Sequence, residues 1–404
     1  KEQQQGVSLL VVPTTLLYNW KNEANQFCSE LRIYTHTGPD RTVDPESFRG
    51  ADLILTSYAI LRRDLELLSK TEFNYLILDE AQAIKNPHSL TASACFGINA
   101  RHHITLTGTP VENSLSDLWT QMHFVNRNIL GSLPRFLKES RNDEKLALYR
   151  RLIRPFLLRR HKSEVLSELP EKSIIVQYCE MDDAQQEFYR QIRNQFRDKI
   201  LDQKSGQQNA IALLEGLMRL RQAANHPLLA DKNYTGSSGK FELVCEMLDD
   251  IQRQGNKALV FSSFTEHLKL FRQQLDEQGL KYCYIDGSTK DRQEQVEIFQ
   301  QSDDYPFFLL SLKAGGTGLN LTRASYVLLL DPWWNPAAEA QAFDRAHRIG
   351  QINKVFVYKF ITRSSVEEKI LKLQDEKKAL FQTMIDDNPD NALKINIDEL
   401  MQMI

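Results

Sequence analysis

The chain has no apolar run near the roughly 18 consecutive residues that cross a bilayer, and no secretory leader opens it. It also lacks an excess of one charge. Its 50 Lys and Arg stand against 53 Asp and Glu, a net charge of −3. That excludes a protein basic over its whole surface, but not a binder whose positive charge is confined to one cleft. Cysteine is sparse: Cys28, Cys95, Cys179, Cys245 and Cys283 lie far apart, odd in number and with no CxxC pair. This pattern reads as reduced, mostly buried thiols in a cytosolic-type compartment, not as a disulfide framework. There is no internal repeat of 20–50 residues and no low-complexity tract. A complete GxxxxGK[ST] phosphate loop is missing too. Gly236–Phe241 (GSSGKF) has too few residues between its glycines and a Phe after the Lys, and reads as a hinge entering a helix.

What is present is ordinary for a soluble globular protein: 42% apolar and 25% charged residues over 404 positions, enough for two or three domains at about 150 residues each. The first residue is Lys, which fits an excerpt of a longer protein. Short apolar runs bounded by turns alternate with helical stretches, the pattern of a parallel sheet wrapped by helices. Early runs are Ser8–Val12, Asp52–Thr56, Tyr75–Leu78 and His103–Leu106; late ones are Ala258–Phe261, Tyr282–Ile285, Phe307–Leu310, Tyr326–Leu330 and Val355–Phe360. Between them Phe188, Ile192, Phe196 and Ile200 recur at helical spacing. The expected organisation is an α/β lobe over 1–180 with a helical insertion near 112–150, a helical protrusion over 181–235, and a second α/β lobe over 236–404. Ser364 and Glu367 predict a capping box opening a long terminal helix.

Several segments carry candidate chemistry. YLILDEAQ (Tyr75–Gln82) ends a strand on two adjacent carboxylates, at the edge where parallel sheets bind ligands. An Asp there suits Mg²⁺, and a neighbouring Glu suits orienting and deprotonating water. A buried strand that surfaces on acids is also common by chance. LTGTPVEN (Leu106–Asn113) follows another strand, and taken alone reads equally as an ordinary turn. DPWWNPAAEAQAFDRAHRIGQ (Asp331–Gln351) has Asn335 as N-cap, Pro336 at the first helical position and Gly350 as a stop. This predicts one helix with Gln341, Arg345 and Arg348 on a single face, where two guanidinium forks suit a polyanion. SLKAGGTGLN (Ser311–Asn320) offers backbone N–H groups to phosphate oxygens. Ser262-Ser263 and DGST (Asp286–Thr289) follow strands on the same edge. The basic run Arg150–Lys162 reads evenly as a solvated face or as an interface or DNA contact.

Together these segments resemble the SWI/SNF-related ATPases, the DNA-translocating branch of helicase superfamily two. SLLVVPTTLLYNWKNE, ILTSYAIL, DEAQ-AIKNP, LTGTP-VEN, PFLLRR, LRQAANHPLL, LVFSSF, AGGTGLNL and DRAHRIGQ follow in that family's order. The resemblance implies two RecA-like lobes, the first incomplete at its N-terminus, with ATP hydrolysed between them and double-stranded DNA as partner. Carried over, Asp79 would bind Mg²⁺ and Glu80 would be the general base. Gln82, Gly316 and Gln351 would lie at the nucleotide, and Arg345 and Arg348 would be arginine fingers. Thr107 and Thr109 would couple ATP to DNA. Thr56, Ser57, Ser262, Ser263, Asp286, Gly287 and Thr317 would line the DNA track. The expected role is remodelling of protein–DNA complexes, at the nucleoid in a bacterium or in the nucleus of a eukaryote, and without a membrane. A strand-separating helicase and a non-catalytic DNA-binding scaffold are the alternatives. Because the family's phosphate-binding Lys loop does not occur here, residues 1–404 alone are expected not to turn over ATP.

Overall fold

The computed structural model describes residues 6–38, 41–42, 44–108, 115–158, 169–201, 206–315 and 319–385. The chain divides into two compact units, Lys1–Arg160 and His161–Ile404. Each is built on a wholly parallel sheet, the outcome that continuous Val/Leu/Ile/Phe runs separated by helices dictate.

The first unit contains strands β1 (Ser8–Val12), β2 (Ile33–Thr35), β3 (Leu53–Ser57), β4 (Phe73–Asp79) and β5 (Ala100–Leu106), in the order β2-β3-β1-β4-β5. Register aligns their ends: Val12 pairs with Ser57, and Asp79 with Leu106. Leu9, Val11, Ile54, Leu76 and Leu78 are buried with the helical residues Leu61, Ala92 and Cys95. Helices Leu115–Val125, Leu133–Glu139 and Asp143–Ile153 form a satellite with its own core of Trp119, Met122, Phe136, Tyr149 and Ile153. These helices fall over the stretch near 112–150 where a helical insertion was expected.

The second unit contains β6 (Lys172–Cys179), β7 (Ala258–Ser262), β8 (Tyr282–Ile285), β9 (Phe307–Ser311), β10 (Tyr326–Leu329) and β11 (Val355–Thr362), in the order β6-β11-β10-β7-β9-β8. All of Ala258–Ser262 and Phe307–Ser311 is buried, and each large apolar side chain there contributes about 1.5–3 kcal/mol. Two expectations change here. β6 pairs along its whole length with β11, so the first unit ends before it and not at residue 180. The helices Asp183–Leu201 and Gly206–Asn225 also belong to the second unit. Tyr189, Ile192, Leu213, Leu217 and Leu220 pack with Val366 and Ile370 of the terminal helix Val366–Ile385. The capping box is displaced as well. Glu367 is not a cap but the partner of Lys240 at 2.7 Å, both side chains fully buried. Instead Glu368 reaches back to the Ser364 N–H at 2.9 Å. No helix among the described residues is long and apolar enough to cross a membrane.

Two histidines of this unit are held neutral. Burial lowers the pKa of His226 to about 4, against the opposing pull of Asp182 and Glu242. Its Nδ1 accepts the Leu228 N–H at 3.2 Å. His267 is wholly buried and also pushed well down. Between about pH 6.5 and pH 4 the unfolded chain therefore binds more protons than the folded one, so stability falls as the pH drops through that window. The urea midpoint is expected to decrease across it, and His226→Asn, which keeps an acceptor without a titrating ring, is expected to flatten the slope.

Candidate functional site

The acidic corner of the first unit lies where β4 leaves the sheet. The Asp79 carboxylate is held at both oxygens: Trp20 Nε1 donates to Oδ2 at 2.7 Å, and the Glu80 N–H donates to Oδ1 at 2.8 Å. Tyr58 Oη donates to the Asp79 carbonyl at 2.7 Å, and burial raises the Tyr58 pKa so that it stays a donor. Glu80 follows with φ 50° and ψ 53°, the left-handed region. A non-glycine residue there costs roughly 1–2 kcal/mol. Such strain persists where the surroundings over-determine it, commonly at functional sites. It turns the chain sharply into the short helix Ala81–Ile84, whose buried Ala81 and Ile84 anchor it in the core. The Gln82 amide donates to Glu80 Oε2 at 2.6 Å, and Thr107 Oγ1 donates to Gln82 Oε1 at 2.9 Å. Asp79, Glu80, Gln82 and Thr107 are thus brought into one hydrogen-bonded cluster spanning the ends of β4 and β5. Trp20 and Tyr58 were not foreseen. Their partner lies 59 and 21 residues away, which no local pattern announces.

Other rim residues are committed differently. Thr56 and Ser57 are buried. Thr56 Oγ1 donates to the His36 carbonyl at 2.8 Å, and Ser57 Oγ accepts the Ile60 N–H at 3.4 Å, capping the helix Tyr58–Arg63. Neither hydroxyl stands on a surface track. In the second unit Ser262 Oγ is buried and donates to Asp331 Oδ2 at 2.6 Å, while the Ser263 N–H donates to the same carboxylate at 3.1 Å. The Asp286 carboxylate folds its own loop. It accepts from Ser288 Oγ at 2.7 Å, Ser288 N at 2.8 Å, Tyr284 Oη at 3.0 Å and Thr289 N at 3.1 Å. These bonds, the Ser288 hydroxyl's foremost, hold its pKa down to about 2. Its carboxylate is therefore a brace, whereas Gly287 has open space where a Cβ would stand. Thr109, Gly316 and Thr317 lie outside the described residues.

The arginine segment departs from its expected form. Asn335 caps as predicted, its Oδ1 accepting the Ala337 N–H at 3.0 Å, with Pro336 next. The helix, however, covers only Pro336–Phe343. The chain then tightens into turns, with Arg345 N bonding Ala342 O at 3.3 Å and Ala346 N bonding Phe343 O at 3.1 Å. It turns because Phe343, Ala346 and Gln351 must all enter the core. Arg345 and Arg348 accordingly sit in those turns, not on one helical face. Both are half-buried, and Arg345 Nε reaches back to the Gln341 carbonyl at 3.1 Å. Gln351, expected at the nucleotide, is buried and holds the chain itself. Its amide donates to the Ala324 carbonyl at 2.9 Å and the Ala346 carbonyl at 3.0 Å, closing the turn from inside.

The model of the SNF2-related domain matches residues 1–229. The chain belongs to the SNF2-related family. The helicase conserved C-terminal domain matches residues 239–350. The chain is similar to the putative ATP-dependent helicase/translocase YwqA of Bacillus subtilis, 37% identical over 95% of this chain and 44% of that protein. It is also similar to the human SWI/SNF-related matrix-associated actin-dependent regulator of chromatin subfamily A member 1, 33% identical over 99% of this chain and 41% of that protein. The SWI2/SNF2 ATPase core of Sulfolobus solfataricus in complex with dsDNA is 32% identical, with a TM-score of 0.49 over 100% of this chain and 87% of that one. The chain spans about two fifths of the length of the curated SNF2-related proteins it matches.

The left-handed backbone at Glu80 is directly testable. Glu80→Gly and Glu80→Ala both delete the carboxylate, so their difference isolates the backbone. Glycine is expected to be the more stable by about 1 kcal/mol, read from urea midpoints. An alanine variant as stable as the glycine variant would remove the strain from the account.

Proposed function

We propose that the chain is the motor core of a DNA-stimulated ATPase that moves along duplex DNA and remodels protein–DNA complexes. The observation that carries this reading is the cluster Asp79–Glu80–Gln82–Thr107. It joins an acidic pair to the next strand's end by hydrogen bonds of 2.6 and 2.9 Å.

The donor set at Asp79 fits Mg²⁺. It is a carboxylate at a strand end, each oxygen holding one hydrogen bond and keeping a further lone pair, and hard oxygen donors suit that ion. When bound, Mg²⁺ would neutralise phosphate charge. The protein's own contributions follow from its residues. Trp20 and the Glu80 N–H fix the rotamer of Asp79. Glu80 would orient the attacking water and take its proton. Gln82 holds the Glu80 carboxylate and passes the position of Thr107 to it, which is how a change near the end of β5 would reach the general base. Arg345 and Arg348 would meet the charge that develops on the transferred phosphoryl group. No GxxxxGK[ST] occurs in residues 1–404, so those residues by themselves are expected to support no appreciable turnover.

DNA would run along the C-terminal rims through backbone amides and small residues such as Gly287. Such contacts position a duplex without reading its bases. Affinity would fall with salt, with a log–log slope of about −0.9 per phosphate neutralised.

The test uses the full-length protein. Glu80→Gln is expected to lower the DNA-stimulated kcat by about 10²–10⁴-fold while ATP binding persists. Arg345→Ala and Arg348→Ala are each expected to cost roughly 10³–10⁵-fold. Turnover within a few-fold of wild type in Glu80→Gln, or efficient strand displacement by the unmodified protein, would contradict this reading.

A further inference from the structure

The sequence LRQAANHPLL at the end of the helix Gly206–Asn225 was given no role in the function proposed above, yet it carries a buried cation with many partners. Arg221 is almost wholly buried, its side chain 4% exposed, against an Asp331 carboxylate at 0%. Its Nη2 donates to Asp331 Oδ1 at 3.1 Å, to the Pro332 carbonyl at 3.0 Å and to Ser263 Oγ at 3.1 Å. The guanidinium also lies over three rings: Phe264 at 5.0 Å, Trp333 at 5.5 Å and Trp334 at 5.9 Å. One turn on, Asn225 Nδ2 donates to the Arg221 carbonyl at 3.0 Å, and its Oδ1 accepts from Lys240 Nζ at 3.0 Å. Lys240 in turn donates to the Leu330 carbonyl at 2.8 Å and pairs with Glu367 at 2.7 Å. The last turn of this helix therefore plugs the rim where β7, β10 and β11 end.

We propose that Arg221 is a positioning residue that fixes the relative placement of two rim segments: the serine loop Ser262–Phe264, and the Asp331–Trp334 passage leading through Asn335 to Arg345 and Arg348. The chemistry is specific. A buried carboxylate needs a paired cation, but only a flat, delocalised one can also lie against three aromatic faces. Its Pro332 contact is to backbone, so it sets the trajectory of the passage as well as its charge. In this role Arg221 couples the placement of the serine loop to where the arginines stand. That consequence rests on the proposed ATPase reading; the positioning itself does not.

The test takes Arg221→Lys, which keeps the cation and loses the flat guanidinium that lies over the rings, in the full-length protein. Hydrogen exchange of backbone amides in 331–348 is expected to speed up, while strands 258–262 and 326–329 keep their protection. In the same variant the DNA-stimulated kcat is expected to fall by roughly ten- to a hundredfold, with KM for ATP unchanged and little change in melting temperature. Arg221→Met is expected to move both readouts further in the same direction. Exchange in 331–348 identical to wild type in Arg221→Lys overturns the positioning, whether or not the protein hydrolyses ATP. Faster exchange with unchanged kcat overturns the coupling. Should Arg221→Met fail to fold, the lysine variant decides alone. Absence of any ATP turnover in the wild-type protein would defeat the ATPase reading instead, and the exchange measurement would still judge Arg221.

Discussion

Parallel strand direction is the constraint from which the rest follows. When every strand of a sheet runs the same way, all the C-terminal ends open on one rim, and the loops there are the ones free to carry polar groups. In the first unit the register sets Ser57, Asp79 and Leu106 along that rim. In the second it sets Ser262 opposite Ser311. The strands themselves are too apolar and too buried to do chemistry. Their uniform direction is what converts a set of hydrophobic runs into a row of serines, acids and glycine turns.

Along each rim, buried polar networks do the holding. The acidic corner is drawn together by partners on separate elements: Trp20 from the first helix, Tyr58 from the start of another, and Thr107 from beyond β5. The second rim is closed by two buried ion pairs, Arg221–Asp331 and Lys240–Glu367. Breaking one such pair by removing a partner is expected to cost about 3–5 kcal/mol, although a well-packed apolar replacement of both can be neutral. These pairs are therefore better understood as devices for geometry than as sources of stability.

How much of this was legible in the sequence depended on range. The strand ending in DEAQ and the next ending in LTGTP are local patterns, and the structure joins Gln82 of one to Thr107 of the other. Two strands escaped notice. β2 has only three residues, and β6 (KSIIVQYC) alternates half-buried and exposed positions as an edge strand does, so neither reads as a continuous apolar run. The helix after Asn335 was expected to reach Gly350 because its start signals are strong and its interior is Ala-rich. It ends at Phe343 because Phe343, Ala346 and Gln351 are claimed by the core, a tertiary demand that overrides local propensity. Gln351, expected at the nucleotide from the resemblance, and Ser262 and Asp286, expected at DNA, each make hydrogen bonds within the unit that no local pattern announces. Arg221 was invisible as a site residue because its partner lies 110 positions away.

In the function proposed, the metal of a bound nucleotide would sit at the Asp79–Glu80 corner. Iron-directed backbone cleavage tests it most directly: Fe²⁺ replaces Mg²⁺ in the full-length protein, and ascorbate with peroxide cuts the chain beside the ion. The account predicts ATP-dependent cutting at 79–82 that disappears in Asp79→Ala. Cutting confined to other segments, or persisting unchanged in that variant, would contradict it.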